Sequence, residues 1–343
     1  MARVRPRDPQ PPGRRHRSRP PPGRLRRPAR RHRRPPARPQ GHRHRRRHPL
    51  HRRRPGPRPR PRTPVTLQEP AVPASPLLHH HLVGPADAPP LVLGPSLGTS
   101  KAVWEPQLPS LSRRFRVLRF DLPGHGGSSA DILPAPEPGR TTVGDLASLV
   151  LDLANQYGWS RFHYAGISLG GAIGAHLAAH HPDRVASLAL VCSSAHFGAA
   201  QPWHERAGLV RLQGTAPLLE TSPGRWFADR SFADSPFGRR LLGTLAAADP
   251  VGYAACCDAL AAYDLRPDLA TISAPTLVVG GALDTATPLK HARELAEGIA
   301  DSVLKTIPCG HLAVETPRAL QDVLVDHLRT ACAEGTMRVP LPD

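Results

Sequence analysis

The sequence has few cysteines and no long apolar run. Its five cysteines, Cys192, Cys256, Cys257, Cys309 and Cys332, are scattered and lack the paired spacing of a zinc site. They fit a protein kept in a reducing cytoplasm. No run approaches the roughly 18 apolar residues of a membrane-spanning helix, and the N-terminus lacks the apolar stretch of a secretory signal. We therefore expect a soluble, cytoplasmic protein with no membrane partner.

Acidic residues are almost missing from the first 64 positions. This segment has 25 Lys and Arg residues and one acid, Asp8, so its net charge is +24. Residues 65–343 have 21 Lys and Arg residues against 26 Asp and Glu residues, a net charge of −5. The net charge of the whole chain, +19, therefore comes from the leader alone. It is no argument that the remainder binds nucleic acid.

The leader, residues 1–64, consists mainly of Arg, Pro, His and Gly and has little to bury, which predicts disorder. Three interpretations are open: a tail that binds nucleic acid, a proline-rich spacer, or a leader that is not translated because translation starts later. The abrupt change to ordinary composition at Val65 favours the third, since such monotony resembles out-of-frame reading of GC-rich DNA.

Beyond Val65, short apolar runs alternate with helix-length amphipathic segments, which predicts a mostly parallel sheet with helices on both faces. The predicted strands are 91–93, 116–120, 162–165, 186–192, 276–279 and 302–307. The predicted helices are 142–157, 288–299, 317–331 and an alanine-rich helix that ends near residue 181. The strand rhythm stops at 196–266, which predicts an inserted helical cap. The predicted division is a leader (1–64), two parts of the core (65–195 and 267–332), the cap between them and a tail (333–343).

A glycine-rich turn joins a predicted strand to a predicted helix at residues 166–171, Gly-Ile-Ser-Leu-Gly-Gly. In the α/β-hydrolase fold such a turn strains the backbone and holds an exposed serine nucleophile at the end of a strand. This predicts Ser168 as the nucleophile. The backbone N–H of Leu169 is then one donor to the developing oxyanion, and the loop after the first core strand supplies the second, for which we select Leu97.

The order serine, acid, histidine is the order of a triad in this fold. Asp284 follows the strand at 276–279, and His311 follows the strand at 302–307. A serine hydroxyl needs an imidazole to accept its proton, and the imidazole needs a carboxylate to hold its tautomer. We therefore predict His311 as the general base and Asp284 as its partner.

Other conspicuous polar residues have simpler interpretations. His125 follows Asp-Leu-Pro-Gly and is expected to be a structural turn residue. Asp258 and Asp264 lie in the predicted cap and are expected to be solvated or paired. The adjacent Cys256 and Cys257 are expected to belong to the core of a cap helix rather than to a redox site.

Three segments resemble one family in particular. Residues 95–99, Pro-Ser-Leu-Gly-Thr, with Trp104 after them, resemble its oxyanion loop, and residues 166–174 resemble its nucleophile turn. Residues 252–260, Gly-Tyr-Ala-Ala-Cys-Cys-Asp-Ala-Leu, resemble a segment of its cap. From about residue 78 to residue 328, the chain is similar to the 3-oxoadipate enol-lactonases of aromatic-acid catabolism.

This resemblance implies hydrolysis of 3-oxoadipate enol-lactone to 3-oxoadipate in the β-ketoadipate pathway, through an acyl-enzyme on Ser168. It implies no metal and no organic cofactor. The substrate is a small lactone or ester with a free carboxylate, for which a cationic contact is expected. Arg225 in the predicted cap is the candidate for that contact, and Trp226 beside it is a second candidate substrate-binding residue.

Other functions are open at this point. A general carboxylesterase, or a hydrolase that resembles the cofactor-free haloperoxidases, would use the same three residues on another substrate. A nucleic-acid-binding protein would act through the basic leader, although nucleic acid is not the partner we expect. A receptor with an inactive hydrolase fold is disfavoured by the complete set of Ser168, Asp284 and His311.

Overall fold

The computed structural model describes residues 77–337, and the side chains of residues 77–333. These residues belong to one compact unit, Glu69–Asp343. The predicted leader, 1–64, lies outside the described residues, and its three interpretations stay predictions. No helix among residues 77–337 is long and apolar enough to cross a membrane.

A sheet of seven strands forms the centre of the described residues, in the order β1-β3-β2-β4-β5-β6-β7. Strand β1 pairs antiparallel with β3, and all other pairs are parallel. The strands are β1 His80–Val83, β2 Pro90–Gly94, β3 Arg116–Phe120, β4 Phe162–Ile167, β5 Val185–Val191, β6 Thr276–Gly281 and β7 Ser302–Ile307. All residues of β4 and β6 are buried, as expected for inner strands covered on both faces.

Helices connect the parallel strands. They are α1 Leu108–Leu111, α2 Val143–Gln156, α3 Leu169–His180, α4 Ala200–Gln213, α5 Ser222–Trp226, α6 Pro236–Ala246, α7 Pro250–Ala261, α8 Leu289–Gly298 and α9 Pro317–Met337. Local sequence fixes several starts. Thr142 and Asp145 form a reciprocal capping box at α2, and Asp249 accepts the N–H groups of Val251 and Gly252 at α7. The mostly parallel α/β-hydrolase sheet predicted above is confirmed.

Four helices, α4 to α7, lie between β5 and β6, in the stretch predicted to be a cap. The two ends of this stretch meet, since His196 and Asp264 form an isolated β-bridge and Leu265 N–H donates to the Ala195 carbonyl at 2.9 Å. Helix α7 also approaches the core closely. A side chain on Gly252 would place its Cβ 2.5 Å from the Cα of Gly124. The domain boundaries themselves stay a prediction.

Three features differ from the predicted elements, and one is the short helix α1, which was not predicted. Strand β1 was not predicted, because its four residues, His-His-Leu-Val, lie at the edge of the sheet and none is fully buried. Helix α9 continues to Met337, six residues beyond its predicted end. The chain has no proline between Pro317 and Pro340 that would end the helix earlier.

Candidate active site

Ser168 stands alone between the end of β4 and the start of α3, with φ +55° and ψ −116°. A non-glycine residue is strained at positive φ, so the surrounding structure must hold this conformation. The neighbouring glycines allow it. A Cβ on Gly166 would come within 2.2 Å of the Gly170 carbonyl, and a Cβ on Gly170 within 2.4 Å of the Gly94 oxygen. The strained turn expected from the sequence is present at Ser168.

The side chain of Ser168 is less accessible than expected. The sequence predicts an exposed serine, but Ser168 is only 5% exposed. It faces a cavity whose walls include residues of α4, α5 and α7. The expectation that Ser168 is exposed is therefore wrong, because the helices between β5 and β6 cover the turn that carries it.

Asp284 and His311 come together at the ends of β6 and β7. Nδ1 of His311 lies 2.9 Å from Oδ2 of Asp284, and both side chains are buried. Oδ1 of Asp284 accepts the N–H groups of Ala286 at 2.8 Å and Thr287 at 2.9 Å, and the Thr287 hydroxyl lies 2.7 Å from Oδ2. This network holds the carboxylate in one orientation toward the ring.

The network also keeps Asp284 ionised. Burial acts to raise the pKa of Asp284, but the charge and hydrogen bond of His311, with the bonds from Thr287, outweigh it and hold the pKa below its usual value. An ionised carboxylate accepts a hydrogen bond from the N–H at Nδ1 of His311. The other ring nitrogen, Nε2, is then left to act toward the cavity.

Ser168 and His311 line the same cavity. Within residues 77–337, no hydrogen bond joins the Ser168 hydroxyl to the His311 ring. In free hydrolases this contact is often loose and tightens when substrate binds. The structure thus brings the three predicted residues to one site, while their catalytic roles stay predictions.

Leu97 and Leu169, the predicted oxyanion donors, have backbone N–H groups with no acceptor among the described residues. Leu97 also lines the cavity with Ser168. The loop that carries Leu97 is anchored on both sides, because Trp104 Nε1 donates to the Gly94 carbonyl at 2.9 Å and Gly98 N–H donates to His125 Nε2 at 3.1 Å. Two such free N–H groups are the donors an oxyanion hole requires.

His125 has the structural place expected for it. It is buried, its Nε2 accepts from Gly98, and its Nδ1 lies 2.8 Å from the Pro123 carbonyl. Burial lowers the pKa of His125, which keeps the ring neutral with the proton on Nδ1. His125 thus connects the turn after β3 to the loop that carries Leu97.

The cavity comprises about 590 Å³ of space, with the adjoining open solvent included. Arg225 and Trp226, the predicted substrate-binding residues, both line it. So does Arg206, which the sequence analysis did not select; its guanidinium lies 5.1 Å from the ring centre of Trp203. Partial burial, and then the charge of Arg206, lower the pKa of Arg225, although Arg225 as a whole keeps contact with solvent.

Neither arginine of the cavity has a carboxylate partner within the described residues. Arg211, on the same helix as Arg206, does, because it pairs with the buried Asp258. Nothing in the sequence shows which of Arg206 and Arg211 has a carboxylate partner, so only the tertiary contacts distinguish them. Two guanidinium groups that have no carboxylate partner among the described residues lie beside a candidate nucleophile, which makes this cavity suited to an anionic ligand.

The remaining residues discussed above have structural surroundings. Asp258 pairs with Arg211, and Asp264 pairs with Arg266. Cys256 and Cys257 are fully buried, and burial raises the pKa of the Cys257 thiol to about 12, so neither is a reactive thiolate. The expectation that no cofactor is required stays a prediction.

Comparison with known proteins places the chain among the α/β hydrolases. The sequence profile of the α/β hydrolase fold matches residues 89–216. The chain is 36% identical over 244 residues to 3-oxoadipate enol-lactonase 2 of Acinetobacter baylyi, covering 71% of this chain and 89% of that protein.

Two solved structures are similar to the chain. One is the enol-lactonase from Burkholderia xenovorans LB400, 35% identical, with a TM-score of 0.69 over 74% of this chain and 96% of that one. The other is a thermophilic esterase from Thermogutta terrifontis, 26% identical, with a TM-score of 0.68 over 74% of this chain and 93% of that one. The resemblance inferred from residues 95–99, 166–174 and 252–260 is confirmed at the level of the family.

Proposed function

Because this chain belongs to the 3-oxoadipate enol-lactonase family of α/β hydrolases, we propose that it opens 3-oxoadipate enol-lactone to 3-oxoadipate. The chain is a hydrolase, and the proposal concerns its substrate and the residues that act on it. One observation carries the proposal. The cavity that contains Ser168 and His311 also contains Arg206 and Arg225, two cations without a carboxylate partner among the described residues.

Ser168 attacks the lactone carbonyl while Nε2 of His311 accepts the hydroxyl proton. The tetrahedral oxyanion is stabilised by the N–H groups of Leu97 and Leu169, which have no competing acceptor within residues 77–337. Asp284 stabilises the imidazolium that forms at His311, since its carboxylate is ionised and 2.9 Å from Nδ1. Collapse of the oxyanion breaks the ring C–O bond and leaves an acyl-enzyme.

The leaving group is an enolate that stays attached to the acyl chain. An enolate is a better leaving group than an alkoxide, so it asks less of protonated His311 as an acid. It takes up the proton held by His311 and becomes the 3-oxo group, which returns His311 to its neutral form. A water molecule then attacks the acyl carbonyl and gives a proton to His311. His311 returns this proton to Ser168 Oγ as the bond between Ser168 and the acyl carbon breaks, and 3-oxoadipate is the product.

The free carboxylate of the lactone binds to Arg225 and Arg206, with Trp226 against the apolar part of the ring. Charge-assisted hydrogen bonds from guanidinium groups are stronger than neutral ones, and the partly closed cavity strengthens them further. This arrangement favours anionic lactones over neutral esters of similar size. We also expect the protein to act in the cytoplasm.

The test is hydrolysis of 3-oxoadipate enol-lactone by the full chain, followed through the loss of the lactone's ultraviolet absorbance. The Ser168→Ala variant should lose activity by at least about 10⁴-fold. The matched control is Ser148→Ala, an exposed serine on α2, which should keep wild-type activity. Turnover by the Ser168→Ala variant at the wild-type rate would contradict the mechanism.

A general carboxylesterase is the second candidate, favoured by the 26% identity with the thermophilic esterase. It predicts fast cleavage of p-nitrophenyl acetate that depends on Ser168, and no turnover of the enol-lactone. Parallel assays of the two substrates with the same enzyme preparation distinguish the two functions.

A further inference from the structure

One carboxylate connects the loop of His311 to the segment that follows Trp226. The N–H of Gly310, the residue before His311, donates to Oε1 of Glu315. The N–H of Ala228 donates to both oxygens of the same carboxylate, at 3.1 Å each. Glu315 therefore accepts one backbone bond from the histidine loop and one from the stretch between β5 and β6.

A third contact runs directly between these two backbones. The N–H of Leu312, the residue after His311, donates to the Trp226 carbonyl at 2.8 Å. The backbones are so close that a Cβ on Gly310 would stand 2.6 Å from the nitrogen of Ala228. The residues on both sides of His311 are thus bonded to one network. Because the two backbones are in close contact, the His311 loop cannot move without moving the segment from Trp226 to Ala228.

The Glu315 carboxylate has no cationic partner among the described residues. Glu315 is half-buried and forms no ion pair with any Lys, Arg or His among residues 77–333. The backbone N–H groups of Gly310 and Ala228 are its hydrogen-bond donors. A carboxylate satisfied by backbone N–H groups fixes the positions of those backbones, because charge-assisted bonds are the strongest of the hydrogen bonds available there.

We propose that Glu315 is a positioning residue that holds His311 in register with the Arg225–Trp226 wall of the cavity. The inference rests on the proposed function, in which His311 is the general base. Glu315 itself does not touch the substrate. It acts through Gly310 on the imidazole and through Ala228 on the substrate-binding wall, so that the base and the bound lactone keep one mutual geometry.

The experiment compares Glu315→Ala, Glu315→Gln and the control Glu297→Ala in the full chain. Glu297 is an exposed carboxylate on α8 that accepts no hydrogen bond within residues 77–333. Three rates are measured for each: turnover of the enol-lactone, turnover of p-nitrophenyl acetate, and covalent labelling of Ser168 by a fluorophosphonate. Labelling requires the general base but not the arginines.

Glu315→Ala should lower kcat for both substrates and slow the labelling by about 100-fold, because small misplacements of a catalytic group are that costly. It should also raise the KM for the lactone while leaving the KM for p-nitrophenyl acetate nearly unchanged. Glu315→Gln should restore part of kcat, since one amide oxygen in the place of Oε1 can accept both N–H groups, although its neutral bonds are weaker than those of the carboxylate. Glu297→Ala should behave as wild type.

Wild-type labelling of a folded Glu315→Ala variant would overturn the proposal, as would a Glu315→Gln variant no better than Glu315→Ala. If Glu315→Ala does not fold, Glu315→Asp replaces it, because the shorter side chain keeps the charge but cannot reach both N–H groups. Wild-type labelling of Glu315→Asp would then overturn it. Failure of the proposed function gives a different result: wild type labels and cleaves p-nitrophenyl acetate but leaves the lactone intact.

Discussion

The sheet edge and the helices between β5 and β6 line the same cavity, but they hold their polar groups by different means. On the sheet side, each candidate catalytic residue lies close after the end of a parallel strand, and backbone contacts fix it. Ser168 follows β4 directly, and Asp284 and His311 lie in the loops after β6 and β7. The close approach of Gly166 to Gly170, and the two N–H bonds to Asp284, leave little freedom.

On the helix side, side chains contribute the polar groups. Arg206 extends from α4 and lies over the ring of Trp203, and Arg225 extends from α5 and is partly buried. Neither forms an ion pair among the described residues. Long side chains on helices adapt more easily than groups fixed by strand ends. The difference suggests that the chemistry and the choice of substrate can be altered separately.

The largest expected effect is on the sheet side. Asp284→Asn should lower kcat by about 10⁴-fold for the enol-lactone and for p-nitrophenyl acetate alike, because an amide no longer fixes the tautomer of His311. The measurement is steady-state kinetics with both substrates. Asp264→Asn, which changes an exposed aspartate paired with Arg266, is the control and should keep wild-type kcat. A loss of kcat for the enol-lactone alone would contradict the conclusion that the sheet side controls the chemistry and not the choice of substrate.

The next effect concerns the acid stability of the sheet. His163 on β4 is buried beside Ser187, and burial, followed by the charges of His327 and Arg161, lowers its pKa from 6.5 to about 4. The unfolded chain therefore binds more protons than the folded chain between pH 4 and 6.5. The free energy of unfolding should fall by roughly 3 kcal/mol from this group as the pH drops through that window.

Replacing His163 with glutamine should remove this part of the pH dependence. The measurement is urea unfolding of wild type and His163→Gln at several pH values between 4 and 7. The wild-type curve should be the steeper of the two against pH. Equal slopes would show that His163 is not what makes the sheet sensitive to acid.

The smallest effect is expected on the helix side. Arg206→Gln and Arg225→Gln should each lower kcat/KM for the anionic lactone by about 30-fold, which corresponds to about 2 kcal/mol for a hydrogen bond to a charged group. Cleavage of p-nitrophenyl acetate should stay within about twofold of wild type, since a neutral ester gains little from either cation. Arg239→Gln, an exposed arginine on α6, is the matched control.

The ratio of kcat/KM for the lactone to kcat/KM for p-nitrophenyl acetate shows whether each arginine acts on substrate choice. If the arginine variants lose both activities equally, the helix side supports the catalytic residues and not substrate choice. If only Arg225→Gln changes the ratio, Arg206 does not contact the carboxylate.

Much of the candidate site could be predicted because it depends on local features. The turn at 166–171 needs glycines at fixed places, and the end of a parallel strand determines where Ser168, Asp284 and His311 lie relative to the sheet. The same reasoning places all six predicted strands within two residues of their observed ends. Strand β1 was missed because it has only four residues and two of them are histidines, which leaves too short an apolar run to predict a strand.

The fold class, the serine turn and the order of the three candidate catalytic residues could be predicted from the sequence, because short-range periodicity and spacing specify them. Three other features depend on tertiary packing: which arginines of the cavity lack a carboxylate partner among the described residues, how deeply Ser168 is covered, and the bonds by which Glu315 joins the His311 loop to Ala228. These features depend on contacts between residues far apart in the sequence. Arg211 and Asp258 are 47 positions apart, and Ala228 and Glu315 are 87 positions apart. No local pattern encodes such pairings, because they follow from how the helices pack against the sheet.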